Sequence, residues 1–514
     1  MLFKKIICIV LSLTLLCLAG CGKDNDKTDN KGNGSDESTA SYEIQLLFCQ
    51  NDTLNPYKTI SKLNSELAPL IFDPLLTLDD KFEVTHRLAS SVKTEGNICT
   101  VTLRDSVFSD GSYVTASDVI YSYNLANEND LYSKLFYEVS GVYAENDKTI
   151  IFNLTKNDPY FEKLLTFPIL KEGSDQLKNE DNVELTPIGC GRFVYDPENS
   201  CFIPNKYYYN KLTNIEKIKL INAPDNESMK HYVEVGATDI YYSNAGDGSI
   251  IRMSGKKKNA NLTNLVYIGI NHDYGLLKNP QLRYAISTAV NRDDLVKTAF
   301  YTNAKPATGF FHPDWSETSS YQTLLTDADL KISVENLERI GYNNLDKNGY
   351  RLTGNDTPLT LSLLVNNENP TRLTAAELIA DQLKAVGIKL DINAVDSATY
   401  YSALGSGSFQ LYLGEIKLLP NMDMSSLLLP GGSAAYGLGS IATSDDGASY
   451  VDVFSRFYSG ENSIIDLAPA LLASMPIIPL LYRSSVLFYS DKIEDVGNIS
   501  NSDIFLSLED YKFK

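Results

Sequence analysis

Side chains that commonly bind metals or act as nucleophiles are scarce in this chain of 514 residues. The four histidines are His86, His231, His272 and His312, and no two of them have the spacing of metal ligands. No glycine-rich phosphate loop is present either. The sequence therefore predicts no metal site, no cofactor and no catalytic residue, and we do not expect an enzyme.

Long apolar runs are also missing, apart from a short one near the N-terminus. Residues 6–17 are apolar, but this run is shorter than the roughly 20 residues of a membrane-spanning helix. It follows Lys4 and Lys5 and precedes Leu18-Ala19-Gly20-Cys21, so residues 1–20 are predicted to be an export signal. Leu-Ala-Gly-Cys resembles the bacterial lipobox, which implies a lipoprotein signal and a diacylglycerol on Cys21. A plain secretory signal remains the alternative.

Large apolar side chains are absent from the segment that follows. Residues 22–40 cannot form a core, so residues 21–40 are predicted to be a flexible tether.

Basic residues are outnumbered by acidic ones, 45 against 65, and the net charge of −20 repels nucleic acid and anionic lipid. We expect no nucleic-acid partner, and contact with the membrane through the lipid anchor only.

The remainder of the chain is longer than the roughly 250 to 300 residues at which a single core stops growing, so it predicts at least two domains. Strand-like runs at 43–48 and 98–103 alternate with helical patterns, which favours an α/β (mixed α+β) fold. The clearest helix begins at Thr115, which can cap it together with Asp118. Further helices are predicted over 282–300 and over 372–386, the latter ending at Gly387.

Four cysteines follow Cys21 in the sequence: Cys49, Cys99, Cys190 and Cys201. An exported location permits disulfides, and Cys190 could pair with Cys201 across a hairpin. A large chain has no need of such a bond, and free buried thiols are the default expectation.

The single tryptophan, Trp315, could cover a cleft or pack locally.

A series of short motifs between residues 68 and 126 occurs in a specific order. The motifs are Pro74-Leu75, Asp79-Asp80, Leu88-Ala89-Ser90, Thr102-Leu103-Arg104, Phe108-Ser109-Asp110-Gly111 and Thr115-Ala116-Ser117-Asp118-Val119. This order resembles the signature region of family 5 extracellular solute-binding proteins, which are oligopeptide, dipeptide and nickel binders. Further resemblances follow at 187–193, 235–240, 282–286, 387–388 and 476–480, so they extend over nearly the whole chain after the tether.

The resemblance implies a two-lobed periplasmic-binding-protein-like fold with a hinge and an extra subdomain in the first lobe. The first lobe would comprise residues 41–264 and 477–514, with the inserted subdomain at about 57–185. The second lobe would comprise residues 265–476. Capture of a ligand would then be closure of the two lobes about the hinge.

The resemblance also places the candidate ligand contacts. The first-lobe loop that approaches ligand in the family corresponds here to Ser61, Lys62, Leu63 and Asn64. In the second lobe, the strand that precedes the peptide amine contact reads Phe409-Gln410-Leu411-Tyr412-Leu413-Gly414-Glu415-Ile416-Lys417. It departs from the family pattern, because Gln410 replaces an aspartate and the tryptophan is missing. Asp423 follows at an uncertain register.

Gly414, Glu415, Lys417 and Asp423 are the candidate contacts in this second-lobe region. Glu415 and Lys417 are two residues apart, so on a strand both face the same side and could bind the two ends of a zwitterion. A surface ion pair between them is the alternative.

These observations predict a monomeric substrate-binding lipoprotein that captures short peptides and delivers them to an ABC permease complex. It would be anchored on the outer face of the cytoplasmic membrane, which is the periplasmic side in a Gram-negative cell. Two alternatives remain open. One is a receptor for another small solute, such as a nickel chelate or an oligosaccharide. The other is a surface sensor or adhesion protein that does not transport.

Overall fold

The computed structural model describes residues 41–210, 214–244, 251–320, 328–439, 441 and 445–514. The predicted export signal, the lipidation site Cys21 and the tether at 21–40 lie outside these residues.

The strands of the described residues are β1 (Tyr42–Phe48), β2 (Leu76–Leu78), β3 (Val84–His86), β4 (Ala89–Glu95), β5 (Ile98–Leu103), β6 (Val139–Asn146), β7 (Thr149–Leu154), β8 (Phe193–Asp196), β9 (Cys201–Pro204), β10 (Ile215–Asn222), β11 (Ile240–Ser243), β12 (Lys256–Ile270), β13 (Ala304–Pro306), β14 (Thr360–Asn366), β15 (Lys389–Val395), β16 (Leu411–Lys417), β17 (Ile477–Tyr489), β18 (Ile493–Asp495) and β19 (Lys512–Phe513). The α-helices are α1 (Lys62–Ile71), α2 (Ala116–Asn127), α3 (Asn226–Glu234), α4 (Pro280–Ala289), α5 (Arg292–Asp294), α6 (Leu330–Arg339), α7 (Pro370–Ala385), α8 (Ser397–Ser406), α9 (Ser425–Leu428), α10 (Asp445–Tyr458) and α11 (Ile464–Ser474).

The first core forms on the four-stranded sheet β1-β10-β9-β8, in which β1 and β10 are parallel. Ile44, Phe202 and Ile218 of this sheet pack against Leu70 of α1 and against Phe505 of the C-terminal segment. Residues from both ends of the described chain therefore stabilise the same core.

The second core forms between α2 and the antiparallel sheet β4-β5-β7-β6. Val101 and Phe152 of the sheet pack with Val119 of α2 and with Phe161 of the following loop. All of these side chains are buried. They come from one continuous stretch of the chain, so the sheet and α2 form one compact unit.

The third core is the largest and surrounds the seven-stranded sheet, whose main order is β11-β17-β12-β16-β14-β15, with β13 paired to β17. Alternating strands and helices, such as β14-α7-β15, supply parallel pairs in this sheet. Trp315 is buried in this core against Phe311, which is near it in sequence, and against Tyr160 and Phe457, which are distant.

The predicted helix at Thr115 is confirmed as α2, with a capping box formed by Thr115 and Asp118. The predicted helix over 372–386 is also confirmed, since α7 ends at Ala385 and Gly387 takes a positive φ of 87°. The prediction of one continuous helix over 282–300 is wrong. The chain leaves helical geometry at Val290, and the Asn291 side chain accepts a hydrogen bond from Asp294 N to begin α5.

The cysteines of the described residues are free thiols, including Cys190 and Cys201. Both of these are buried, as is Cys99, whereas Cys49 is half-buried. The default expectation of free thiols is confirmed, and the disulfide alternative for Cys190 and Cys201 is not observed.

Candidate functional site

Two long strands connect the first core to the third. Ala260 of β12 and Leu487 of β17 pack in the first core, whereas Leu265 and Tyr482 of the same two strands pack in the third. The strands are antiparallel neighbours, and their pairing shifts register between Asn261 and Leu265. The change of core and the break in regular pairing coincide, which is the arrangement expected of a hinge.

Glu415 lies beside this crossing and is held by two arginines. Its Oε1 accepts a hydrogen bond of 2.9 Å from Arg483 Nη1 of β17 and one of 2.8 Å from Asn264 Nδ2 of β12. Its Oε2 accepts a bond of 3.1 Å from Arg372 Nη2 of α7. Burial opposes ionisation of Glu415, but the charges of Arg483 and Arg372 outweigh it and lower the pKa of the carboxyl. The cluster of two arginines and one glutamate therefore has a net positive charge.

The packing of two tyrosine rings around position 414 leaves no room for a side chain larger than that of glycine. A Cβ at Gly414 would lie 2.6 Å from Cζ of Tyr267, its cross-strand partner on β12, and 2.9 Å from Cε2 of Tyr412. Both rings are buried, and their hydroxyl oxygens are 3.3 Å apart. Gly414 thus makes room for a pair of tyrosines next to Glu415.

Lys417 and Asp423 lie where the third core meets the second. Lys417 is exposed at the end of β16, and Leu419, two residues on, packs against the second core. Asp423 accepts a hydrogen bond from the hydroxyl of Tyr137, which follows Phe136 of the second core, and one of 2.7 Å from Ser425 N. Asn421 Nδ2 donates a further bond of 2.9 Å to Asp158, which lies just before Phe161 of the second core.

Lys62 at the start of α1 contacts β11 and a neighbouring carboxylate. Its Nζ lies 3.3 Å from Glu66 Oε1 and 3.4 Å from the carbonyl oxygen of Tyr242. Two residues beyond Tyr242, the Asn244 carbonyl accepts a hydrogen bond from Arg483 Nη2. Lys62 therefore contacts β11 itself, and the arginine that binds Glu415 contacts the residue that directly follows β11.

The other predicted residues of this loop have structural contacts. Leu63 packs on the apolar side chains next to the first core, and Ser61 N donates a bond of 2.7 Å to Asp52. Asn64 is buried, and its amide binds the backbone of residues 49–53 with four hydrogen bonds of 2.8 to 3.3 Å. Whether Ser61–Asn64, Gly414, Glu415, Lys417 and Asp423 contact a ligand stays a prediction.

Sequence reasoning missed Arg372, Arg483, Asn264 and Tyr137. Arg372 stood at the predicted start of a helix and Arg483 shortly after the motif at 476–480, so both positions were within regions already singled out. These residues are identified by their contacts with Glu415 or Asp423, which are distant in sequence. A local pattern in a single sequence does not reveal such long-range contacts.

The described ranges of the chain contain no group of three or more histidine, cysteine, aspartate or glutamate side chains arranged to hold a metal ion. Within the same ranges, no helix combines the length and the apolar character needed to cross a bilayer.

Comparison with known proteins shows which family and which relatives this chain is similar to. The family model for "Bacterial extracellular solute-binding proteins, family 5 Middle" matches residues 83–436. The glutathione-binding protein GsiB of Salmonella typhi is 26% identical over 446 residues, which cover 82% of this chain and 82% of GsiB.

Solved structures agree with the predicted fold. The unliganded open form of MppA, a periplasmic murein tripeptide-binding protein, matches with a TM-score of 0.73 at 19% identity and covers 89% of this chain and 95% of that one. A nickel ABC transporter structure from Bacillus halodurans matches with a TM-score of 0.71 at 18% identity, with coverages of 88% and 96%. The predicted two-lobed periplasmic-binding-protein-like fold with mixed helices and strands is thereby confirmed.

Proposed function

Because the chain belongs to family 5 of the bacterial extracellular solute-binding proteins, the binding components of ABC importers, we propose that it captures a short peptide between two lobes and releases it to an ABC permease complex. The protein would act as a monomer. It would perform no catalysis, because binding and release of a solute need no bond to be made or broken.

The double crossing of β12 and β17 is the observation that carries this proposal. A family member of this kind needs two rigid lobes and a hinge that lets them close on the ligand. We place the crossings at about 261–264 and 483–485, where packing changes from the first core to the third. The lobe boundaries at 264 and 476 stay predictions.

The proposed ligand is supported by the relatives and by the chemistry beside the hinge. GsiB is named for glutathione and MppA for a murein tripeptide, which are both short peptides. Arg372 and Arg483 outnumber Glu415, so the cluster beside the hinge has a net positive charge that suits the carboxylate end of a peptide, and Lys417 adds a further positive group. A nickel chelate is the second candidate, favoured by the likeness to the nickel ABC transporter structure.

The ligand can be identified by denaturing the purified full chain and analysing the released material by mass spectrometry. Peptides of about two to five residues would support the proposal, because a cleft that binds peptide backbone accepts short extended chains. Released sugar, or nickel with a chelator, would overturn it.

The role of Glu415 in this site is tested by Glu415→Gln. We expect peptide affinity to fall about tenfold, because Arg372 and Arg483 lose the charged partner that orients them. Isothermal titration calorimetry measures the affinity, and Glu335→Gln on the exposed face of α6 is the matched control. An affinity within twofold of the original chain would remove Glu415 from the site.

The location of the protein is proposed from the N-terminal segment. Cys21 would carry a diacylglycerol, residues 21–40 would form the tether, and the lobes would stand on the outer face of the cytoplasmic membrane. Cys21→Ser should release the protein from the membrane into the medium, while Cys49→Ser should leave it attached. Release of the unchanged chain would instead support a plain secretory signal.

A further inference from the structure

Two neighbouring aromatic residues, Tyr160 and Phe161, pack in different cores. Phe161 is buried in the second core, whereas the ring of Tyr160 packs against the third. Tyr160 is half-buried and follows Pro159, which is exposed, so it lies at the surface of the second core. The Tyr160 ring therefore extends from the second core onto the third.

Three aromatic side chains of the third core receive the Tyr160 ring. Its centroid lies 5.3 Å from that of Trp315, in an edge-to-face arrangement, and 5.9 Å from that of Phe457. The ring of Phe311 lies 5.2 Å from Trp315 and 5.9 Å from Phe457. We call Phe311, Trp315 and Phe457 the aromatic pocket, and all three are buried. Withdrawal of Tyr160 would expose apolar surface of this pocket to water, which costs free energy.

Polar contacts just before Tyr160 hold the same segment. Asn157 Nδ2 donates a hydrogen bond of 2.5 Å to the carbonyl oxygen of Ser459, which directly follows α10. Asp158 accepts one of 2.9 Å from Asn421 Nδ2 in the loop after β16, and both of these side chains are buried. Residues 157–160 thus join the second core to the third through elements other than the crossing strands β12 and β17.

We propose that Tyr160 and the aromatic pocket form a latch, which engages when the lobes close on a ligand and slows their reopening. The inference rests on the proposed function, and on the predicted lobes, which place Tyr160 in the first and the aromatic pocket in the second. A hinge rotates one lobe against the other, so side-chain contacts between the lobes outside the hinge strands separate on opening. Release of the ligand therefore requires Tyr160 to leave the aromatic pocket.

Trp315 is the only tryptophan of the chain, so its fluorescence reports directly on the latch. Reduced glutathione and alanine peptides of two to five residues, which contain no tryptophan, are the ligands tested. Calorimetry on the full chain shows which of them bind, and acrylamide quenching of Trp315 is measured with and without each one. We expect a bound peptide to reduce the quenching, because Tyr160 then covers the indole ring. Stopped-flow fluorescence gives the dissociation rate.

Variants of residues 157–160 separate the ring from the rest of the segment. Tyr160→Ala should abolish the protection of Trp315 and raise the dissociation rate about tenfold, because two aromatic pairs are lost. Tyr160→Phe keeps the ring and should behave like the original chain. Asn157→Ala removes the bond to Ser459 and should raise the dissociation rate about threefold. Tyr113→Ala, at an exposed tyrosine, is the control and should change neither quantity.

The outcomes separate the latch from the function on which it rests. Peptide binding that leaves the quenching of Trp315 unchanged, or equal dissociation rates in Tyr160→Ala and the original chain, would overturn the latch and leave peptide capture intact. If Tyr160→Ala does not fold, an unchanged dissociation rate in Asn157→Ala has the same meaning. Binding of none of the peptides would overturn the proposed function, and the latch with it.

Discussion

Glu66 is a carboxyl group that the fold keeps largely away from water. Its side chain is 16% exposed in α1, and its nearest cation is Lys62. Burial raises the pKa of Glu66 to about 7, and the charge of Lys62 only partly offsets this rise. The folded protein thus binds a proton on Glu66 more tightly than the unfolded chain does.

This pKa shift predicts how stability depends on pH. The stabilising contribution of protonated Glu66 is complete below about pH 4.5 and is lost as pH rises through about 7. Glu66→Gln should therefore gain stability relative to the original chain between these values, by up to about 3 kcal/mol at 1.36 kcal/mol per pKa unit. Urea denaturation from pH 4 to 8 measures the difference, with Glu335→Gln as the control. A difference independent of pH would contradict the prediction.

Gly414 allows a second prediction at a single position. Gly414→Ala should lower the free energy of unfolding by about 1 to 3 kcal/mol, because the new methyl group would overlap the buried rings of Tyr267 and Tyr412. Gly405→Ala is the matched control, since nothing lies within 4 Å of its Cβ and it sits in α8. There alanine should stabilise by about 0.5 to 1 kcal/mol. Equal effects in urea denaturation would show that the two rings can move aside.

Single positions also show what a sequence can and cannot tell. The spacing of Glu415 and Lys417 correctly places both on one strand, and their shared face follows from the period of two in a strand. It does not show that Glu415 is occupied by Arg372 and Arg483, which are 43 and 68 residues away. The partner of a charged side chain is set by the tertiary fold.

Among the elements, α1 is joined to the preceding loop by the side chain of Asn64. The Asn64 amide accepts from Cys49 N and donates to the carbonyls of Cys49, Asp52 and Thr53. Asn64→Ala leaves these buried backbone groups without partners, so the free energy of unfolding should fall by about 2 to 4 kcal/mol.

The same variant separates a structural role of Asn64 from ligand contact. We expect peptide affinity at a temperature where the protein is folded to change less than threefold, since every polar atom of Asn64 is engaged within the protein. Ser65→Ala on the same helix is the control for stability and affinity. A large loss of affinity without a loss of stability would instead make Asn64 a ligand contact.

Helix boundaries show why elements are predicted unevenly. The start of α2 was predictable because Thr115 and Asp118 form a local capping box, and the end of α7 because Gly387 takes a left-handed conformation. The break between α4 and α5 was missed, because the apolar spacing continues through it. Arg292 of α5 is buried and binds the carbonyls of Ser287 and Pro479, which holds the chain in the broken form.

For the whole molecule, the order of the motifs was enough to predict a two-lobed fold, because turns and caps occur at fixed places in the family. The contacts between residues of the two predicted lobes could not be predicted. They join Tyr137 to Asp423 and Asp158 to Asn421, and each pair is separated by more than 260 residues. No local pattern indicates which surfaces meet on closure.

The Tyr137 hydroxyl gives the most direct test of whether this contact is part of ligand capture. Tyr137→Phe removes only the hydrogen bond to Asp423, so the lobes should hold a bound peptide less firmly. We expect affinity to fall about fivefold to tenfold, which corresponds to the net contribution of about 1 to 1.4 kcal/mol of an ordinary hydrogen bond, and the loss to appear as faster dissociation. Tyr143→Phe, an exposed tyrosine of β6, should change neither quantity. Because a bond between lobes can affect only the states in which they touch, stopped-flow rates that are equal in the two variants would place this contact outside the closure that captures the ligand.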